Sequence, residues 1–395
     1  MKNTTKAILL ALTALLLFAS MLQQATGLIP CKALNGVTEE VPKPQARFDS
    51  FLNGSLQDTT EAYLKQHYGF CEPLTRFYNQ TQWSLFRYAQ VAEDKRIVIT
   101  PDNWIFEPWT VEEYYQRHVY QHANDSLEMA QKLEAEAQRL AEIQHLLEPY
   151  NTRLFVALLP DKEQICGEHM PKNTKYFKEK KITAYDFYKK RFKELGVNHI
   201  SMGEWFMQMK DTVSYPLFPQ TGTHWSNLAA KHATDTLVRY LEWLSDSKMV
   251  NIMIDDVFQR TLKPDADLES LMNLIWPLKK TPNFLASTYY DYDTTAWRPR
   301  LITIGDSFFW NILNFTPFGD VFTSTPYWYY FSTAIFDGDE SDISKKDVLQ
   351  EVVDADFVML SNSTVSLYKM SNGFSQHLLD NLLQKDRDKK LKKEI

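Results

Sequence analysis

The chain has 395 residues, 44% hydrophobic and 24% charged, enough to bury one large core or two smaller ones. A formal net charge of -7 excludes the basic surface that a nucleic-acid binder presents. Aromatic residues reach 14%, a supply that serves either a packed core or flat platforms for sugar rings.

Lys2 and Lys6 precede an apolar run from Ala7 to Met21. A charged start followed by an apolar stretch of this length reads as an export signal, with Ala25-Thr-Gly27 as a small-x-small cleavage site. Left uncut, residues 1–27 form a membrane anchor somewhat below the usual spanning length. Residues 28–45 carry three prolines and no periodicity, and read as a tether. From Phe48 to Tyr78 the apolar spacing is helical, split at Asn53-Gly54, so 28–95 is a tether plus a helical segment. Arg96–Thr100 is a strand. Asp125-x-x-Glu128 is a capping box for a long amphipathic helix that Pro149 stops. Leu154–Leu159 is a continuous apolar run, the pattern of a strand buried on both faces. Tyr185–Leu195 reads as a helix with Gly196 as its C-cap, followed by a strand over Val197–Ile200.

Leu228–Leu244 is helical, and Met249–Ile254 reads as a strand. Tyr289, Tyr290, Asp291, Tyr292 and Asp293 read as a loop that rims a pocket. Leu301–Ile304 and Phe357–Leu360 supply further strands. Ser375–Leu383 is an amphipathic helix, and the charge run 385–395 is a solvated tail. Strands alternating with helices give βαβ units, an α/β domain over 96–384 with a mainly parallel sheet. Cys31, Cys71 and Cys166 leave room for one disulfide and a spare thiol in an exported chain, and no pair has metal-ligand spacing.

Two short motifs carry chemistry. In Arg300–Leu313 the strand ends at Gly305-Asp306, and a helical pattern starts at Phe308, so strand, turn and helix meet at Ser307. Such a turn exposes a hydroxyl and aims free helix-start N–H groups at whatever it attacks. The hydroxyl becomes a nucleophile once a base is near. His224, in Thr221-Gly-Thr-His-Trp-Ser226, precedes the Leu228 helix with Ser226 as N-cap. The positive potential at a helix start favours the neutral imidazole that a general base requires. In an open parallel sheet such groups gather beyond the carboxyl ends of the strands.

Gly305-Asp306-Ser307 resembles the Gly-Asp-Ser block of the SGNH hydrolase superfamily. With His224-Trp225 early and the serine block late, the order is similar to that of the alginate O-acetyltransferase group of SGNH-like proteins. Asn103-Trp-Ile-Phe106, Phe155–Lys162 and Asp356–Leu360 resemble further segments of that group, over about Phe48 to Tyr368. The resemblance implies a three-layer SGNH-like sheet with an N-terminal helical extension. It implies transfer of an acetyl group, through a serine acyl-enzyme and without metal or nucleotide, to a hydroxyl of an extracytoplasmic polysaccharide. The protein would face the periplasm, free or membrane-anchored, and a membrane-bound acyltransferase would deliver the acetyl group. Ser307 would be the nucleophile and His224 the base, with Asp306 beside the serine either as the acid or, as is more usual in that block, as a structural residue. Lys162 is either a solvated post-strand lysine or a substrate contact. Trp225 either packs behind the histidine or touches substrate. Tyr327 and Trp328 lie in an aromatic run that is either a buried strand or a sugar-stacking face. One departure stands out: the group usually reads Asp-x-His-Trp, and here the aspartate position is Gly222. That leaves another carboxylate, a Ser–His dyad, or a polysaccharide binder without catalysis. An acetyl esterase would use the same residues with water as acceptor.

Overall fold

The computed structural model describes residues 2–36, 41–92, 95–115, 125–170, 183–291, 293, 295–316 and 318–394. His118, His122, Tyr292 and the Asp125 side chain lie outside them. The chain forms two compact units, Met1–Ile97 with Asp267–Lys279, and Val98–Ala266 with Lys280–Ile395.

In the first unit the Thr4–Thr26 stretch of the opening helix is long and apolar enough to cross a membrane. Helices Phe48–Leu52 and Ser55–His67 are separated by Gly54 at φ 84, a left-handed turn that glycine adopts without strain. Cys71–Phe86 follows. The Asp267–Lys279 segment joins this unit through polar clamps that sequence periodicity does not show. Asn35 N donates to Asn273 Oδ1 at 2.9 Å, and Asn273 Nδ2 returns a bond to Asn35 O at 3.0 Å. Gln80 Oε1 accepts from the amides of Ile275 and Trp276.

The second unit is built on a seven-stranded sheet. From one edge to the other its strands are Asp339–Asp342, Thr333–Phe336, Tyr327–Tyr329, Leu301–Gly305, Phe357–Ser363, Arg153–Leu159 and His199–Ser201. The last five run parallel, and the first two add an antiparallel edge. Side chains alternate between faces as strand geometry demands. Leu154, Val156, Leu158, Ile302 and Val358 enter one core with helices Asp125–Leu147, Ala184–Leu195 and Phe374–Glu394. Phe155, Ala157, Leu159, Leu301 and Met359 enter the other with helices Asn227–Ser245 and Phe309–Phe315. Burial on both faces explains why these strands read as unbroken apolar runs. The result is the expected three-layer α/β arrangement.

Four expectations change. The strand near Met249 is Asn251–Gln259, and it pairs antiparallel with Phe284–Asp291 in a separate ladder. Its far half is exposed, because Asp255, Asp256 and Gln259 cannot enter an apolar layer. Tyr289, Tyr290 and Asp291 therefore lie on a strand rather than in a loop. The charge run after Lys385 continues the last helix to Glu394, since Lys, Arg and Glu are good helix formers and no Gly or Pro interrupts them. All three cysteines are free, and burial pushes the Cys166 thiol up to about 12.

Candidate active site

The serine strand ends where backbones crowd. A Cβ on Gly305 would lie 2.4 Å from Ser361 O, so only glycine lets the strand keep its register with Phe357–Ser363 here. Asp306 follows, buried. Its Oδ2 accepts from Ser363 N at 2.8 Å and from Ser363 Oγ at 2.6 Å, and its Oδ1 accepts from Phe308 N at 3.1 Å. Those bonds face the neighbouring strand and the turn, so Asp306 positions Ser307 and is corrected from catalytic acid to positioning residue. Tyr327 donates its hydroxyl to Asp306 O at 2.6 Å and locks the turn from below. Burial, with the Asp306 carboxylate adding to it, holds the Tyr327 phenol far above its ordinary range. Phe309 N and Trp310 N donate to Asp306 O and Ser307 O. The helix-start amides are thus engaged within the turn. Among the described residues the Ser307 N–H has no protein acceptor.

His224 comes from the loop before helix Asn227–Ser245. His224 Nε2 lies 2.9 Å from Ser307 Oγ, both side chains half-buried. Phe308 packs against the imidazole with ring centroids 5.1 Å apart. The two motifs are also cross-tied behind the reacting pair. Trp225 Nε1 donates to Phe308 O at 3.0 Å, and Asn311 Nδ2 donates to Trp225 O at 2.7 Å. Ser226 caps the helix as its sequence position predicts, its Oγ accepting from Ala229 N.

What holds the histidine loop is Lys162. Its Nζ donates to Ile105 O at 2.7 Å, Gly222 O at 2.8 Å and Gln220 O at 2.9 Å. Trp104 and Phe106 flank the ammonium, their ring centroids 5.1 and 5.0 Å away. Ile105 N donates to Gln220 O, so the Trp104–Phe106 segment and the strand-end lysine converge on one loop. Lys162 is only 2% exposed and is corrected from substrate contact to loop anchor. Trp225, Tyr327 and Trp328 are also buried and have no face for a sugar. Their flat surfaces fill the core beside the site instead. Tyr329 and Tyr330, next in the same aromatic run, come nearer the surface.

Tyr330 is the site residue that the motifs do not reveal. Its amide donates to Gly305 O at 2.9 Å, which ties Tyr330 to the end of the serine strand. It sits at φ 47 with Phe331 at φ 51, two consecutive left-handed aromatic residues, a rare and strained backbone. Burial, and then the Asp306 carboxylate, raise its phenol, which keeps it a donor at neutral pH. No sequence pattern announces such a turn. Gly222, for its part, is packed tight: a Cβ would lie 2.9 Å from Pro219 Cγ and 3.0 Å from the carbonyl carbon and oxygen of Asp265. An aspartate has no room there.

A half-exposed serine, hydrogen-bonded to a histidine beyond the carboxyl ends of a parallel three-layer sheet, defines an SGNH hydrolase-like site. Residues 97–308, more than half the chain, match the family described as SGNH hydrolase-like domain, acetyltransferase AlgX, and the chain belongs to that family. Solved structures similar to it include the O-acetyltransferase domain of Pseudomonas putida AlgJ, at 15% identity and TM-score 0.46, over 72% of this chain and 98% of that one. Bacillus cereus PatB1 with a sulfonyl adduct is similar at 12% identity and TM-score 0.44, over 71% of this chain and 100% of the other. Pseudomonas aeruginosa AlgX is similar at 10% identity and TM-score 0.42, over 71% and 66%. A search of curated proteins finds no significant match.

Proposed function

We propose that the protein is an O-acetyltransferase that moves an acetyl group through Ser307 onto a hydroxyl of an extracytoplasmic polysaccharide. The 2.9 Å contact between His224 Nε2 and Ser307 Oγ carries this reading. Ser307 Oγ attacks the acetyl carbonyl as its proton passes to Nε2. The tetrahedral oxyanion is held by the Ser307 N–H. Collapse breaks the bond to the donor's oxygen, which takes the proton from Nε2 and leaves an acetyl-serine. A sugar hydroxyl then gives its proton to Nε2 and attacks the acetyl carbon. Ser307 departs and recovers the proton. The membrane-length N-terminal helix supports a place outside the cytoplasm, as export signal or anchor. A membrane-bound acyltransferase that delivers acetyl groups is the matching partner.

Incubation with an acetyl ester and an oligosaccharide tests the reading. Acetylated oligosaccharide from the wild type, and none from Ser307→Ala, is the expected result. Free acetate alone would make the protein an esterase, and unchanged acetylation by Ser307→Ala would remove the nucleophile.

A further inference from the structure

A general base that works through Nε2 needs its other ring nitrogen, Nδ1, held by an acceptor, so that the correct tautomer faces the serine. Gly222 cannot supply that acceptor from its side chain. We infer that Asp265 supplies the carboxylate that orients His224, reaching from the Lys263–Ala266 turn into the place that residue 222 leaves. The inference rests on the Ser307–His224 reading above.

Three observations carry it. First, Asp265 occupies the space in question: its carbonyl carbon and oxygen lie 3.0 Å from where a Cβ on Gly222 would stand, and Thr221 Oγ1 donates to Asp265 O at 3.5 Å. Glycine at 222 and aspartate at 265 are thus one packing solution, in which the acid has moved to another segment of the chain. Second, Asp265 is 2% exposed. A carboxylate buried there must be matched by donors, and Leu262 N at 2.7 Å from Oδ2 holds the side chain in place. Third, the other buried acids near the site face elsewhere. Asp306 is bonded to Ser363 and Phe308, Glu163 accepts from Thr110, and Asp161 accepts from Val365 N.

The groups around the imidazole are Ser307 Oγ in front, Tyr330 and Asp306 beyond the serine, Asp265 behind, and the Lys162 ammonium two residues back through Gly222 O. With Asp265 anionic, the imidazolium formed during catalysis is stabilised. Removing that charge lowers the pKa of His224 and slows proton transfer from the serine.

Three measurements on the full chain test this. Asp265→Asn should lower kcat by about 10²- to 10⁴-fold with KM for the acetyl donor unchanged. The titration midpoint of His224, followed by ¹⁵N-histidine NMR, should fall by about one unit or more. In the wild type at low pH, a far-downfield Nδ1–H resonance should report the imidazolium–carboxylate bond, a readout that needs no variant to fold. An unmoved His224 titration in folded Asp265→Asn, or a wild type without that resonance, would overturn the assignment. Turnover that survives Ser307→Ala would instead sink the acyl-enzyme reading beneath it, so the two failures are distinguishable.

Discussion

Ser307 leaves its strand through a turn whose donors and acceptors come from the strand beside it, whereas His224 sits on a loop gripped from beneath by a buried ammonium. On the serine side, Asp306 binds Ser363 and Phe308, and the local motif contains most of what fixes it. On the histidine side, the anchors are Lys162, Ile105 and Gln220, scattered over more than a hundred residues. Short motifs therefore describe the first half of the site well and the second half poorly. The histidine side tolerates the loss of a motif residue, because its geometry is set by the surroundings.

If that contrast is right, the largest effect belongs to Lys162→Met. Three buried carbonyls lose their common donor, which should cost on the order of 3 kcal/mol or more and lower kcat as the histidine loop loosens. Denaturant unfolding and turnover check both; full stability would show that the loop is held by something else. Next comes Gly222→Asp, which restores the family's residue type but not its space. We expect about 1–3 kcal/mol of destabilisation from overpacking, and a loss of activity. A gain in rate would break the comparison.

Trp225→Phe removes the bond to Phe308 O and keeps most of the packing. It should cost about 1–2 kcal/mol and reduce kcat several-fold with little change in KM. Equal rates in the two proteins would show that the cross-tie is dispensable. Glu163→Gln should have the smallest effect, and of opposite sign. Burial raises the Glu163 carboxyl above its ordinary 4.5. The folded state therefore holds a proton that the unfolded state releases, and stability falls as pH rises from about 4.5 through the folded value. The variant lacks that slope, so its advantage should grow across the window in thermal unfolding at stepped pH. A constant difference would contradict the assignment.

The parallel core and the strand–turn–helix at Ser307 are legible because each follows from local pattern, whereas the pairing of Ser307 with His224 is expected only from the sheet edge where both helix starts gather and from the order of the two motifs. Lys162 was visible as a strand-end lysine, but its three carbonyl partners depend on how distant loops fold together. Tyr327 and Trp328 read either as a buried strand or as a sugar platform, because an aromatic run has the same composition whether it is inside or outside, and their burial decides for the strand. The turn at Tyr330 is not legible, because consecutive left-handed aromatic residues have no sequence signature. A strand is legible over Met249–Ile254, but neither its extension to Gln259 nor its pairing with Phe284–Asp291 is, since pairing is a property of the whole sheet.

Covalent labelling tests the central claim most directly. A serine-directed sulfonyl reagent, followed by peptide mapping, should modify Ser307 in the wild type and label it far more slowly in His224→Ala. Modification at another residue, or equal labelling rates with and without the imidazole, would contradict the account.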